Sequence, residues 1–231
     1  AIRENGLLIQ LPEEDIQVFP RAYHLSDICT LNEKYDIVFL VAKAYDTRWL
    51  CEFIKPHLQE DGLLIGIQNA MTVDDVSDIV GSTRTLVFVV ELSSEIFTPG
   101  IVKRNTPNEN TWFCIGSINP STKDRLPDIK EILLNAGKVT ISSDILSAKW
   151  MKLVVNTMCL GPFAMLGLTL YEAVQLPGVR DFISKVGTEA LTAGQKKGYT
   201  IQPIFGLKPE DITDTNSLLE KMLDKLAKDI G

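Results

Sequence analysis

The sequence predicts an α/β fold: a partial, doubly wound parallel sheet over residues 1–143, followed by an all-helical domain over residues 144–231. Three short, nearly continuous apolar runs indicate strands that are buried on both faces. Helical segments separate these runs, and alternating strands and helices are typical of a parallel sheet covered by helices. Beyond about residue 144 the pattern is helical throughout.

The core of the predicted sheet consists of three strands and the two helices between them. The strands are Tyr35–Ala42, Leu63–Ile67 and Leu86–Val90. Apolar residues at helical spacing predict one helix over Asp46–Leu58. A second helix is predicted over Thr72–Val80, because acidic residues in its first turn meet the positive end of the helix dipole.

Shorter elements flank this core. Proline ends two short strands near the start of the chain, and a glycine ends an amphipathic helix further on. Two later runs are predicted to pair as the edge strands of a hairpin, 100–104 with 111–115. The full set comprises strands 6–12, 16–19, 100–104, 111–115 and 139–141 and helix 123–135.

The second domain is predicted to contain four helices. Gly161-Pro162 follows the first of them, and proline inside a helix removes a backbone donor and clashes with the preceding turn. We therefore expect a kink or a break at this position. The predicted helices cover residues 147–160, 163–174, 179–197 and 208–229.

Charge and hydropathy limit the partners. The 231-residue chain has a formal net charge of −7 and a pI of about 5.0, whereas nucleic-acid binders are usually basic. No apolar run approaches the ~18 residues that span a bilayer, and the first residues lack a signal-peptide pattern. We expect no nucleic-acid or membrane partner and a cytoplasmic location. The chain also lacks an initiator Met, so we expect it to be part of a longer sequence.

Cysteine and histidine spacing indicates neither a disulfide framework nor a metal site. The four cysteines form no C-x-x-C pair and lie among apolar neighbours, as is typical of buried thiols in a reducing compartment. His24 and His57 have no ligand partner at helical or loop spacing. No metal is therefore predicted.

A nearly apolar helical segment, residues 150–160, carries the candidate catalytic residue Lys152 and the candidate substrate-binding residue Asn156. The two are four residues apart and share one helix face. In the functional interpretation, Lys152 faces a cleft between the domains with a pKa lowered by desolvation and protonates a substrate oxygen, while Asn156 orients the substrate. In the alternative, Lys152 extends to the surface and Asn156 bonds a backbone carbonyl.

Polar residues also follow two of the predicted buried strands. Lys43 comes directly after the first strand and Asn69 after the second. Because ligands of open α/β sheets bind at the carboxyl ends of the strands, both are candidate cofactor-binding residues. The alternatives are a solvated loop lysine and an asparagine that only forms a turn or caps a helix.

Taken together, four motifs resemble the ketopantoate (2-dehydropantoate) reductase family. They are a Lys-Ala pair after a strand, a strand that ends in Gln-Asn-Gly, a Pro-Gly hairpin before a basic strand, and a Trp-x-Lys-Leu-x-x-Asn helix. The last is the most specific. In this chain they occur at Ala42–Ala44, Gln68–Ala70, Pro99–Arg104 and Trp150–Asn156, in the same order and spacing.

The resemblance implies a partial Rossmann-type domain that binds NADPH, with NADH not excluded, followed by a helical domain of the 6-phosphogluconate dehydrogenase C-terminal type. It implies reduction of a small 2-oxo acid to a 2-hydroxy acid in pantothenate biosynthesis. Lys152 would be the proton donor, Asn156 a substrate-binding amide, and Lys43 and Asn69 residues near the cofactor. A homodimer is kept as one option for assembly.

Two positions depart from the family pattern and keep alternatives open. Ala70 stands where the family has glycine, and Leu160 stands where the pantoate-forming members usually have a second asparagine. A 2-oxo acid with a more apolar tail is therefore an alternative substrate. An opine or hydroxyacid dehydrogenase is an alternative enzyme, and a non-catalytic binding or dimerising protein on a degenerate reductase scaffold is an alternative of another class.

Overall fold

The computed structural model describes residues 1–230, and the side chains up to residue 224. The chain divides into two compact units. The first comprises Ala1–Ile67 and Val73–Ile141, and the second comprises Gln68–Thr72 together with the chain from Ser142 onward. The sequence placed one boundary near residue 144, and no pattern in it indicated that residues 68–72 join the helical unit.

The strands belong to the first unit and the long helices to the second. The strands are β1 Leu7–Gln10, β2 Asp15–Val18, β3 Tyr35–Leu40, β4 Leu58–Gly66, β5 Thr85–Glu91, β6 Ser94–Thr98, β7 Ile101–Arg104, β8 Trp112–Ser117 and β9 Lys138–Ile141. The α-helices are α1 Ile2–Asn5, α2 Thr47–Ile54, α3 Val73–Val80, α4 Leu126–Leu134, α5 Ile145–Leu166, α6 Leu170–Ala173, α7 Val179–Lys196 and α8 Thr215–Ile230.

A five-stranded sheet with the order β3-β4-β5-β8-β9 forms the centre of the first unit. The predicted buried strands β3, β4 and β5 are parallel neighbours, with Leu40 opposite Gly66 and Gly66 opposite Val87. β8 runs antiparallel to β5 and parallel to β9. The predicted parallel arrangement is confirmed for the first three strands, and β8 introduces one antiparallel pair.

Both faces of this sheet are covered, because successive side chains of a strand point to opposite faces. Leu64 of β4 packs with α2 and α3 in one apolar cluster. Its neighbours Leu63 and Ile65 pack with Phe88 and α4 in the other cluster. The predicted doubly wound α/β fold is therefore confirmed.

A second, four-stranded sheet with the order β2-β1-β7-β6 lies in the same unit. Pro99-Gly100 forms the tight turn between β6 and β7, and Gly100 has a φ of 89°. The predicted hairpin of 100–104 with 111–115 is wrong. β7 pairs in the smaller sheet, whereas β8 pairs with β5 and β9. The apolar run Phe113–Ile115 is buried, so it suits an interior strand rather than an edge.

Helix α5 of the second unit spans 22 residues and contains Pro162 in its last two turns. We expected a kink or a break at Gly161-Pro162. The helix does not break there but continues to Leu166, because proline removes only one backbone donor, and a kink stays a prediction. The helix ends at Gly167, which has the left-handed φ of 64° that closes many helices. The predicted helix 163–174 is therefore divided between the end of α5 and the short α6.

α5 packs closely on α7 at two glycines. A Cβ on Gly187 would lie 2.6 Å from Cγ of Met158, and one on Gly194 would overlap the Trp150 indole. The Trp150 indole N–H donates to the carbonyl of Ala190 at 3.1 Å. Its ring also stacks on Tyr199, with ring centroids 5.1 Å apart. These contacts fix the position of the helix segment that carries the Trp-x-Lys-Leu-x-x-Asn motif.

Gly194→Ala is expected to reduce the free energy of unfolding by about 2 kcal/mol, because the added methyl group overlaps a rigid indole that is held on both sides. Gly187→Ala is the matched control in the same helix, since the flexible Met158 thioether moves aside more easily. Urea unfolding of both variants measures the difference. Equal losses would mean that the Trp150 contact does not constrain the helix pair.

Candidate functional site

Lys152 lies on α5 and is half-buried. Its Nζ is 4.5 Å from the centroid of the Phe205 ring. An ammonium at this distance from an aromatic face is stabilised by the ring quadrupole. The ammonium is therefore held beside an aromatic surface within the second unit.

Phe205 is presented by a two-residue hairpin. The backbone N–H groups of Ile204 and Leu207 donate to each other's carbonyl oxygens at 3.1 and 2.8 Å. Phe205 has a φ of 54° and Gly206 a φ of 77°, so both central residues have positive φ. A positive φ is unfavourable for a bulky residue. Such a conformation persists only where the surrounding structure over-determines the position. The turn thus places this ring at a defined point over Lys152.

Asn156 is half-buried one helical turn after Lys152 on the same continuous helix. Burial raises the pKa of the nearby Cys159 thiol to about 11, and the positive charge of Lys152 opposes that rise. Leu160 follows one turn later and is 62% exposed. This face of α5 therefore carries a cation, an amide and an apolar side chain in succession.

Lys43 and Asn69, the two candidate cofactor-binding residues, are exposed. Lys43 precedes the short 3-10 helix Ala44–Asp46 and lies three residues beyond the end of β3. Asn69 lies three residues beyond the end of β4, in the segment Gln68–Thr72 that belongs to the second unit. Each residue thus follows the carboxyl end of a parallel strand, as predicted.

Ala70, next to Asn69, has a φ of 69°. This left-handed conformation costs an alanine roughly 1–2 kcal/mol and suits glycine. The backbone of this chain therefore adopts the conformation that the family's Gln-Asn-Gly motif would favour, although the residue present is alanine.

Lys149 is a second lysine on α5 and was not among the predicted site residues. It is only 4% exposed, and its Nζ donates to the backbone carbonyl oxygen of Gln68 at 2.7 Å. Desolvation lowers the pKa of Lys149 from 10.5 to about 8. The available signal was its place one turn before Lys152 in the same nearly apolar helix. We expected a lowered lysine pKa at Lys152. Such a pKa is found at Lys149, and a lowered pKa of Lys152 stays a prediction.

The structure brings three of the four predicted site residues into one unit. Lys152 and Asn156 share α5, and the segment that carries Asn69 is bonded to the same helix through Lys149. Lys43 lies in the first unit. Among residues 1–224, whose side chains the structure describes, no group of three or more His, Cys, Asp or Glu side chains is arranged to hold a metal ion. No helix in the described part of the chain has the length and apolar character needed to cross a membrane.

A doubly wound sheet with polar residues beyond the carboxyl ends of its parallel strands is typical of the α/β proteins that bind their ligands at this edge of the sheet. Within that class, the family model of ketopantoate reductase PanE/ApbA matches residues 1–117, half of the chain. The chain therefore belongs to the ketopantoate reductase PanE/ApbA family.

Individual relatives are similar at lower identity. A curated 2-dehydropantoate 2-reductase of Nostoc sp. (strain PCC 7120) is 21% identical over 208 residues, which make up 88% of this chain and 65% of the relative. The chain thus spans just under two thirds of the length of this relative. A PanE/ApbA family ketopantoate reductase from Ralstonia eutropha JMP134 has a TM-score of 0.78 at 21% identity, covering 97% of this chain and 68% of that one.

A D-mandelate dehydrogenase, solved with NADH and anilino(oxo)acetate, also has a TM-score of 0.78, at 13% identity and over 98% of this chain and 81% of that one. At these identities the solved structures establish a shared fold. They are consistent with the predicted α/β architecture.

The buried ammonium of Lys149 is expected to make stability depend on pH. Below about pH 8 both folded and unfolded chains hold the proton, and the folded state carries the full desolvation cost. Between about pH 8 and 10.5 the unfolded chain binds more protons, so the free energy of unfolding rises with pH. Since one pKa unit corresponds to about 1.4 kcal/mol, the full rise is on the order of 3 kcal/mol.

Urea unfolding of the wild type and of Lys149→Met across this pH range measures that contribution. The variant removes the titrating group and keeps an unbranched side chain, so the difference between the two profiles isolates Lys149. Parallel profiles would contradict a buried, desolvated ammonium.

Ala70→Gly is expected to raise the free energy of unfolding by up to about 1 kcal/mol, because glycine adopts the left-handed conformation without a Cβ penalty. Ala44→Gly is the control, since Ala44 has a negative φ and should gain nothing. Thermal or urea unfolding compares the two. A loss of stability in Ala70→Gly would refute the strained conformation.

Proposed function

We propose that this protein reduces a 2-oxo acid to a 2-hydroxy acid with NADPH, as a 2-dehydropantoate 2-reductase-like enzyme of pantothenate biosynthesis. The observation that carries the proposal is the Lys152 ammonium, held at 4.5 Å over the Phe205 ring on the helix face that also presents Asn156. Membership of the ketopantoate reductase family supports the same reaction class.

In the proposed reaction, Lys152 is the proton donor. Its ammonium stabilises the negative charge that develops on the ketone oxygen, then transfers a proton to that oxygen as the carbonyl carbon becomes a carbinol. The lysine is left as a neutral amine, which regains a proton from solvent. The contact with Phe205 restricts the ammonium to one region, so that less positional freedom is lost when substrate binds.

Asn156 is proposed to orient the substrate. Its amide both donates and accepts hydrogen bonds, so it can hold a hydroxyl or carboxylate one helical turn from Lys152. Leu160, which follows on this face, offers an apolar contact instead of a further amide. A 2-oxo acid whose tail is more apolar than that of ketopantoate is therefore the alternative substrate.

Lys43 and Asn69 are proposed to bind the cofactor. The donor chemistry fits, because an exposed ammonium and an exposed amide suit phosphate and ribose oxygens, and both follow the carboxyl ends of parallel strands. A bound nicotinamide would supply the hydride. None of the assigned residues distinguishes the 2′-phosphate, so NADH is the alternative cofactor.

A hydroxyacid dehydrogenase is the second candidate. The exposed Leu160 favours a 2-oxo acid with an apolar tail. A panel of 2-oxo acids, with and without an added amine, separates this activity from pantoate formation and from opine synthesis. A cytoplasmic location and a homodimer stay predictions.

Lys152→Ala is expected to lower kcat for 2-oxo acid-dependent NADPH oxidation by at least ~10²-fold, the usual effect of removing a general acid. Lys196→Ala is the matched control, because Lys196 is an exposed lysine on α7 of the same unit. The absorbance of NADPH measures both rates.

A change in kcat below about threefold in Lys152→Ala would remove the proton-donor role. If the wild type oxidises neither NADPH nor NADH with any member of the panel, the non-catalytic alternative replaces the reductase.

A further inference from the structure

The buried ammonium of Lys149 connects two segments that lie 81 residues apart in the chain. Its Nζ donates to the carbonyl oxygen of Gln68 at 2.7 Å, and the side chain is 4% exposed. A hydrogen bond from a charged donor in a buried setting is stronger than one between neutral groups. The contact therefore acts as a short, directional link between α5 and the segment Gln68–Thr72.

This link is costly if it serves stability alone. Desolvation opposes the charge on Lys149, as its lowered pKa of about 8 indicates. An apolar side chain of similar length would avoid that cost, and such replacements of buried charges are often neutral or stabilising. The ammonium fixes the position of the Gln68 carbonyl, and an apolar side chain could not do so.

The carbonyl belongs to the residue before Asn69. The segment leaves the end of β4, passes through Asn69 and turns at Ala70, whose left-handed φ of 69° is unfavourable for alanine. A strained turn persists only where its surroundings over-determine it. The bond from Lys149 fixes the backbone directly before this turn.

Lys149 lies three residues before Lys152, so the two are neighbours on the surface of α5. Lys152 lies over Phe205, on the face that also bears Asn156. Lys149 holds the backbone of Gln68, next to Asn69. Both contacts lie within the second unit.

We propose that Lys149 is a positioning residue that anchors the segment Gln68–Thr72 to α5 and thereby fixes Asn69 relative to the helix that carries Lys152. The consequence for cofactor affinity rests on the proposed function, whereas the anchoring itself does not. Lys149 acts through the backbone of Gln68 and not by touching substrate or cofactor.

Hydrogen exchange of backbone amides tests the anchoring without a measurement of enzyme activity. Lys149→Met removes the donor and keeps an unbranched side chain, and we expect backbone amides of residues 69–72 to exchange at least about tenfold faster. Amides of residues 150–160 should keep their protection. Lys152→Met is the matched control on the same helix and should leave residues 69–72 unchanged. Lys149→Arg, which retains a cationic donor, should restore part of the protection.

A double-mutant cycle tests the coupling to Asn69. In the wild-type background, Lys149→Met is expected to raise KM for NADPH about tenfold with kcat changed less than about threefold, as the loss of one charged hydrogen bond predicts. In the Asn69→Ala background the same substitution should change KM less than about twofold, because the group it positions is gone. If Lys149→Met does not fold, Lys149→Gln, whose amide is too short to hold the same bond, replaces it.

The outcomes separate the two proposals. Unchanged exchange at residues 69–72 in Lys149→Met overturns the anchoring, and equal KM effects in both backgrounds overturn the coupling. A wild type that binds no nicotinamide dinucleotide and reduces no 2-oxo acid refutes the proposed function, while faster exchange in the variant would still support the anchor.

Discussion

The burial of α5 is the constraint on which the candidate site depends. This helix is almost wholly apolar, and its packing on α7 through glycine leaves little freedom to rotate or shift. The few polar side chains that it carries must therefore find partners in defined places. Lys149 bonds a carbonyl, Lys152 lies against an aromatic ring, and the Trp150 indole donates to the backbone of α7. A looser helix would place none of these groups reproducibly.

The register of β4 constrains the backbone in a similar way. Its side chains serve both faces of the sheet in alternation, with Leu64 on one side and Leu63 and Ile65 on the other, so its register cannot slip without exposing apolar surface. The residues that follow this strand therefore leave it at a fixed point. From there the chain joins the helical unit through Gln68, and the polar residues proposed to bind the cofactor each lie three residues beyond the end of a strand.

Much of the architecture was predictable because local patterns control it. Apolar runs identified the strands β3, β4 and β5, and helical periodicity identified α7 to within one residue. The errors arose where pairing partners are distant. The run at 111–115 was assigned to the nearest strand, although the burial of both its faces makes it an interior strand between β5 and β9. Pro162 was expected to kink or break its helix, and it does not break the helix, because the remaining backbone bonds continue it to Leu166.

The chain's local chemistry specified the family motifs, the alternation of strands and helices, and the i, i+4 spacing of Lys152 and Asn156, since each depends on residues close together in sequence. Which lysine becomes buried depends on the folded chain, because burial follows from packing and the acceptor for Lys149 lies 81 residues away. The ring over Lys152 likewise comes from a distant turn. Long-range contacts of this kind leave no mark in a local pattern of residues, so they are visible only once the chain has folded.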